Sequence, residues 1–88
     1  VEVRGLGRYT DGVGYVHITG EVVNPHTVGA KNVTLQGLLI DEAGIFVNAG
    51  ITTLLETIEP GGSAQFDIPI RGVPYARYEV YVQAEPQP

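Results

Sequence analysis

The sequence contains no cysteine, no methionine and no tryptophan. Without cysteine the chain can form no disulfide and offers no thiolate for catalysis or metal binding, so cysteine usage gives no sign of its compartment. Basic residues are also few, five against ten acidic ones, and the formal net charge is -5. Because binding to nucleic-acid phosphates requires a basic surface, we expect no nucleic-acid partner.

Long apolar runs are missing as well. No stretch approaches the ~20 apolar residues of a membrane-spanning helix, so we expect no direct membrane insertion of this segment. Nowhere do apolar residues recur at helical spacing over ten positions. The sequence therefore predicts no α-helix longer than two turns.

Short stretches rich in Val, Ile, Thr, Tyr and Leu fill the chain instead, and twelve glycines and six prolines punctuate them. Turn signals recur about every ten residues, and apolar and polar residues alternate in 15–22, 65–70 and 78–83. Eighty-eight residues suffice for one core and no more. The pattern predicts an all-β fold, an antiparallel sandwich of six or seven strands including one over 1–9, with a small barrel as the alternative.

The inward positions of the alternating stretches predict the core between two sheets. This set is Val16, Ile18, Val22, Val33, Leu35, Leu39, Phe66, Ile68, Val80 and Val82. Pro69 within the 65–70 stretch indicates a strand at a sheet edge or near its end, because proline cannot donate to the ladder.

Two turns carry specific geometry. The stretch 31–41 is apolar on both faces and is predicted to be a central strand. Asp41 then begins a hairpin to the next strand, 45–54, in which Gly44 is predicted to adopt a positive φ. After a short segment at 55–58, the run Glu59-Pro60-Gly61-Gly62 places proline and glycine where a type II turn needs them.

The domain boundaries follow from the ends of the chain. We expect a single domain over 1–85 and a proline-containing tail over 86–88 that links it to a neighbouring domain. The start at Val1, the lack of methionine and the final Glu-Pro-Gln-Pro suggest a segment of a longer protein.

Four segments carry a family resemblance: Gly20-Glu21-Val22-Val23-Asn24, Ala30-Lys31-Asn32-Val33-Thr34-Leu35, Leu39-Ile40-Asp41-Glu42-Ala43-Gly44, and Ile58-Glu59-Pro60-Gly61-Gly62 with Phe66. In this order and spacing they resemble the FxLYD domains. The naming motif differs, since Gly37-Leu38-Leu39-Ile40-Asp41 stands where the family has Phe-x-Leu-Tyr-Asp. The resemblance implies an immunoglobulin-like sandwich of bacterial and archaeal proteins, an extracellular or cell-envelope location, and no catalytic residues.

Several polar residues belong to types that carry chemistry. His17 and His26 share no recognisable spacing with further metal ligands, so we interpret them as surface and turn residues. The carboxylates Asp41, Glu42, Glu59 and Asp67 are candidates for a calcium site or a glycosidase pair. Asp41 more simply begins a turn. Ser63, the only serine, lies in a turn without the strand-to-helix elbow of a hydrolase nucleophile.

Asn32 heads the tripeptide Asn32-Val33-Thr34, which satisfies the glycosylation sequon. The structural interpretation is that Asn32 caps a loop at the start of a strand. Glycosylation of Asn32 is the alternative.

We interpret the chain as a non-enzymatic structural or protein-interaction module, a spacer or docking domain of a larger exported or envelope-anchored protein. It has no catalytic, cofactor-binding or metal-binding residues and needs no cofactor. Its partners are other domains of the same chain or another protein, and self-association is possible through the strand 78–83 if that strand lies at an edge. Tyr81 would be the outward anchor. A central position for this strand is the alternative.

A second hypothesis is a carbohydrate-binding or small-ligand-binding module. Tyr9, Tyr15, Tyr75, Tyr78 and Tyr81 are the five tyrosines. Tyr78 is predicted to face the core, whereas Tyr15 and Tyr81 are predicted to face outward, where aromatic rings can stack on sugars. An enzyme is the third and least favoured reading.

Overall fold

The structure, a computed structural model, describes residues 1–87. It contains six strands and no helix within that range: β1 (Glu2–Thr10), β2 (Tyr15–Val23), β3 (Gly29–Ile40), β4 (Phe46–Thr53), β5 (Ser63–Arg71) and β6 (Arg77–Gln87). All paired strands are antiparallel. The predicted all-β fold and the predicted lack of long helices are confirmed.

The strands form two three-stranded sheets. Sheet A has the order β1-β2-β5 and sheet B the order β4-β3-β6. The predicted central strand is therefore β3, and β3 and β4 form the predicted hairpin. Pro69 lies in β5, at an edge of sheet A, as its missing N–H predicts.

The core lies between the two sheets and contains the predicted residues. Eight of the ten are buried, while Val80 and Val82 are half-buried and pack against the buried set. Three residues outside the predicted set, Ala30, Ile58 and Ile70, are also buried in this core, and of these Ile70 follows the alternation of Phe66 and Ile68. Ala30 and Ile58 pair with each other at a bridge between β3 and the loop before β5, a tertiary contact that alternation within one stretch does not predict.

A glycine on the core face makes room for the buried phenylalanine. Gly20 on β2 is the direct cross-strand partner of Phe66 on β5. A Cβ atom on Gly20 would lie 2.8 Å from Cζ of Phe66. The ring therefore occupies the space that any other residue at position 20 would fill.

Both predicted turns have the expected geometry. Gly44 has φ 80°, and its N–H donates to the carbonyl of Asp41 at 3.0 Å, as a type I turn with a glycine bulge requires. In the second turn Gly61 has φ 75° and the Gly62 N–H donates to the carbonyl of Glu59 at 2.9 Å. Proline at the second position and a positive-φ glycine at the third make this a type II turn.

Three details of the chain differ from the prediction. Strand β6 continues through residues 86 and 87, which pair with Ala30 and Gly29, so the ordered sheet passes the boundary placed at 85; the rest of the predicted tail, Pro88, lies outside the described residues. The segment 55–58 forms only the single bridge at Ile58. Asn32 lies inside β3 at a bulge, with φ 51°, so the interpretation of Asn32 as a cap at the strand start is wrong.

Candidate functional site

Of the four edge strands, two lie close together. On β4, a Cβ atom at Gly50 would come within 2.5 Å of the carbonyl oxygen of Pro69 on β5. The side-chain amide of Asn48 also donates to the carbonyl of Arg71 at 2.8 Å. Strands β4 and β5 therefore close one side of the sandwich, which leaves β1 and β6 as the edges of the other side.

The two remaining edges differ in regularity. Strand β1 is interrupted between Arg4 and Gly7 by a bulge in which Gly5 has φ 61°, and bulges protect an edge against strand addition. Strand β6 pairs without interruption with β3 from Arg77 to Gln83 and has no hydrogen-bonded neighbour on its other side among the described residues. Of the two positions left open for 78–83, central or at an edge, the structure has the edge, and among the described strands β6 is the more regular of these two open edges.

Backbone groups on the open side of β6 belong to alternate residues. Ala30 exchanges backbone hydrogen bonds with Ile58 on the side of β3 away from β6, so its neighbours Gly29 and Lys31 face residues 87 and 85 of β6. N–H and C=O groups alternate between the two sides of an antiparallel strand. Because this alternation continues along β6, the backbone groups of the odd-numbered residues bond to β3. The backbone groups of residues 78, 80, 82 and 84 point to the open edge.

The outer face of sheet B beside this edge carries exposed apolar side chains. Register places Ile51, Gln36 and Tyr81 in one row across β4, β3 and β6. Ile51 is 65% exposed and Tyr81 54%. Phe46, at the start of β4, is 57% exposed on the row of Ile40. These side chains lie on the same face of sheet B as the open edge, where a strand added to β6 would extend that face.

Tyr81 is held in place by its neighbour on β6. Its hydroxyl donates to Oε1 of Glu79 at 2.7 Å, and Arg77 forms an ion pair with the same carboxylate. The hydrogen bond from Tyr81 and then the contact with Arg77 lower the pKa of Glu79. The bond to Glu79 raises the pKa of Tyr81. An aromatic ring that is oriented before contact loses less side-chain entropy when a partner binds.

The outer face of sheet A carries a polar cluster instead, formed by Tyr9, Asp11, His17 and Asp67. Nε2 of His17 lies 2.7 Å from Oδ2 of Asp11, and Nδ1 lies 2.8 Å from Oδ1 of Asp67. The Tyr9 ring stacks parallel to the imidazole at 4.6 Å, and its hydroxyl donates to Asp67 at 3.3 Å. The cluster connects β1, the first hairpin turn, β2 and β5.

This arrangement requires a protonated histidine. Carboxylates only accept hydrogen bonds, so both ring nitrogens of His17 must donate. Accordingly, the bonds to Asp11 and then to Asp67 raise the pKa of His17, while the bond from His17 lowers the pKa of Asp11. Partial burial and the negative charge of Asp67 raise the pKa of Tyr9. Because both ring nitrogens of His17 donate hydrogen bonds, the imidazole has no free lone pair with which to accept a proton or bind a metal ion. We interpret the cluster as structural, because it joins the three strands of sheet A.

The other candidates from the sequence are not brought together. Asp41 uses its side chain inside its own turn, accepting from the N–H groups of Ala43 and Ile45 at 2.9 Å. Glu59 lies in the type II turn beside Ser63, the first residue of β5. In residues 1–87 no group of three or more His, Asp or Glu side chains is arranged to hold a metal ion. The predicted roles of Asp41 and Glu59 in turns are confirmed.

The outward tyrosines lie on opposite faces of the molecule. Tyr15 begins β2 of sheet A, whereas Tyr81 lies on β6 of sheet B. The depression between Ile51 and Tyr81 measures about 100 Å³, less than the ~300 Å³ at which small-molecule pockets begin. Tyr78, predicted to face the core, packs against it half-buried; Arg8 of β1 lies over the rings of Tyr75 and Tyr78. The tyrosines therefore form no common stacking platform.

Asn24 is a structural residue that sequence reasoning did not single out. It is fully buried, and its Nδ2 donates to the carbonyls of Val28, Ile58 and Glu59. Its Oδ1 accepts from the N–H of His26 at 3.1 Å, which is the turn role predicted for His26. Within the described residues no buried side-chain nitrogen or oxygen lacks a partner. The Asn-Pro pair after β2 was the only local signal for this residue.

No family model, curated protein or solved structure matches this chain. Over the part that the structure describes, no helix is long and apolar enough to cross a membrane.

Proposed function

We propose that this domain is a non-enzymatic protein-interaction module that docks a partner by strand addition at β6. The observation that supports this is the position of β6, a regular edge strand with one hydrogen-bonded neighbour and Tyr81 fixed on its outer face. Strand addition supplies affinity through backbone hydrogen bonds and specificity through alternate side chains. Here residues 78, 80, 82 and 84 supply the backbone hydrogen bonds, and Tyr81, with Ile51 in the same row of sheet B, supplies the side-chain contacts.

We also propose that the sandwich is immunoglobulin-like. The pairs β1–β2, β2–β5 and β3–β6 correspond to the A–B, B–E and C–F pairs of immunoglobulin-like sandwiches. Together with the turn motifs, this supports an immunoglobulin-like domain of the FxLYD type. Such a domain would belong to an exported or envelope-anchored protein and would dock a neighbouring domain or another protein.

A photo-crosslinker at position 81 tests docking in the producing cell. Val80→Pro removes a backbone N–H that points to the open edge of β6. The hydrogen bonds between β6 and β3 are kept, because they come from the odd-numbered residues of β6. We expect an adduct at position 81 that Val80→Pro abolishes. A crosslinker at Gln65, exposed on the outer face of sheet A, is the matched control and should give none.

Two results would overturn the docking function. One is the absence of any adduct at position 81. The other is an adduct of equal yield in the Val80→Pro background, provided that circular dichroism shows that this variant is folded. The first result leaves a simple spacer as the function of the domain.

A further inference from the structure

We infer that the strand added to β6 is β6 of a second copy of this chain, antiparallel, about a twofold axis at Tyr81. The inference rests on the proposed function, because it needs β6 to accept a strand. It adds the identity of the partner and the register.

Backbone geometry restricts the possible registers. Directly opposed residues in a sheet point their side chains to the same face, so the axis must pass through a residue and not between two residues. With the axis at Tyr81, Val80 lies opposite Val82 and Tyr78 opposite Ala84. These are the residues that direct their N–H and C=O groups to the open edge, so each opposed pair exchanges both hydrogen bonds.

Charges select this register among its neighbours. With the axis at Tyr81, Arg77 lies opposite Glu85 of the second copy, and the symmetry repeats the pair at the other end. Glu79 lies opposite Gln83, so no like charges meet. Opposite charges directly across strands stabilise a pair, and like charges destabilise it.

The adjacent registers are poorer. With the axis at Val82, Glu79 would oppose Glu85, and Tyr78 would oppose Pro86, which has no N–H to donate. With the axis at Val80, Arg77 would oppose the neutral Gln83, and the ladder would end on residue 76, whose N–H already donates to Ile40 of β3. Only the register at Tyr81 combines two ion pairs with a full ladder.

The outer faces of the two copies then join. Tyr81 lies opposite its own copy in a pair without mutual hydrogen bonds, where Cα atoms approach to ~4.5 Å and side chains are closest. The row of Ile51, Gln36 and Tyr81 continues into the same row of the second copy, and two three-stranded sheets become one of six strands. A twofold pairing of this kind also removes both open β6 edges, which closes the assembly at two copies.

Sedimentation of the 88-residue chain tests the association. We expect a monomer–dimer equilibrium that Val80→Pro shifts to monomer. Arg77→Glu and Glu85→Lys should each weaken the dimer about tenfold, because each places like charges opposite one another at both ends. An equal mixture of these two variants should restore dimers, since the mixed pair again opposes unlike charges. Arg71→Glu, on β5 of the other sheet, is the matched control and should not change the equilibrium.

Disulfide formation tests the register. The chain has no cysteine, so Tyr81→Cys and Gln83→Cys each introduce a single thiol. On the twofold axis the Cβ atoms at position 81 come within disulfide range, whereas those at position 83 are separated by about four residues of strand, ~13 Å. We expect rapid covalent dimers of the Tyr81→Cys variant only.

A wild type that remains monomeric at 1 mM would overturn self-pairing, as would charge variants that dimerise like the wild type. Equal crosslinking at positions 81 and 83 would overturn the register. If position 81 captures a different protein in cells while the wild type sediments as a monomer, self-pairing fails and docking by strand addition stands. Failure of both experiments rejects the docking function itself.

Discussion

The outer faces of the two sheets differ although each sheet contains a hairpin with the same turn. Asp11 and Asp41 occupy equivalent positions: the side chain of each accepts two backbone N–H groups, from residues two and four positions later. Gly14 and Gly44 end the turns with φ 91° and 80°. The local chemistry of the two hairpins is therefore the same.

The difference lies in what the second oxygen of each aspartate meets. In sheet A, Oδ2 of Asp11 contacts His17, which continues to Asp67, so polar side chains on that face bond to one another across three strands. Sheet B has no such cluster at the corresponding place, and its outer face presents Phe46, Ile51 and Tyr81 to solvent. The polar side chains of the cluster on sheet A bond to one another, whereas the outer face of sheet B carries exposed apolar side chains beside an open edge. Sheet B is therefore the better candidate for contact with a partner.

The largest expected effect separates the two phenylalanines, one in the core and one on the outer face of sheet B. Phe66→Ala removes a ring that is 5% exposed and should lower the free energy of unfolding by ~3–5 kcal/mol. Phe46→Ala removes a ring that is 57% exposed and should change it by less than ~0.5 kcal/mol. Urea unfolding measures both. A Phe66→Ala variant with wild-type stability would place that ring outside the core.

Valine substitutions at the two turn glycines test whether the hairpins are equivalent. Gly44→Val and Gly14→Val each force a β-branched residue to a positive φ, and neither new Cβ meets an atom within 4 Å. Both should therefore lose ~1–3 kcal/mol of stability from backbone strain alone. Thermal unfolding gives the comparison. A negligible loss for either one would mean that its turn takes up a negative φ without cost.

Asparagine substitutions at Asp11 and Asp41 test whether the bond from Asp11 to His17 stabilises sheet A. Asparagine keeps an oxygen for the backbone N–H groups of the turn but loses the charge. We expect Asp41→Asn to leave the melting temperature close to that of the wild type. Asp11→Asn should lower it, because the charged bond to His17 is lost. Equal effects at the two positions would show that the cluster does not stabilise sheet A.

The smallest effect is a dependence of stability on pH. Since the pKa of His17 is raised by its two carboxylate partners, its protonation stabilises the fold fully below the ordinary pKa of about 6.5 and ceases to do so as pH rises through the raised value. The lowered pKa of Asp11 acts in the opposite direction. The ionised carboxylate of Asp11 stabilises the fold fully above about pH 3.9, and this stabilisation is lost as pH falls through the lowered value.

The contribution of the cluster should therefore be greatest between about pH 4 and 6.5. Urea unfolding of wild type and His17→Gln from pH 4 to 9 measures it. The difference in stability between the two proteins should shrink above neutral pH. A difference that is constant over this range would contradict a charged His17.

The sequence predicts correctly those features that depend on residues close together in the chain. Asp41, Gly44 and the Glu59–Gly62 turn follow from backbone preferences of the residues themselves, and period-two alternation identified most of the core. Sequence reasoning interpreted His17 as a surface residue because its partners Asp11 and Asp67 are 6 and 50 residues away. Asn24 was missed for the same reason, since two of its carbonyl partners lie 34 and 35 residues farther along the chain.

What the sequence determined by itself was the set of strands, the turns between them and the side of each strand that is apolar. These depend on φ preferences and on alternation, which act over a few residues. Strand order, the closure of the sandwich by β4 against β5, and the open position of β6 were decided only by the tertiary structure. They depend on which strands pair at long range to bury their apolar faces together. The residues of one strand can indicate a central position, as in β3, or an edge, as Pro69 does in β5, but they do not specify which strands lie beside it.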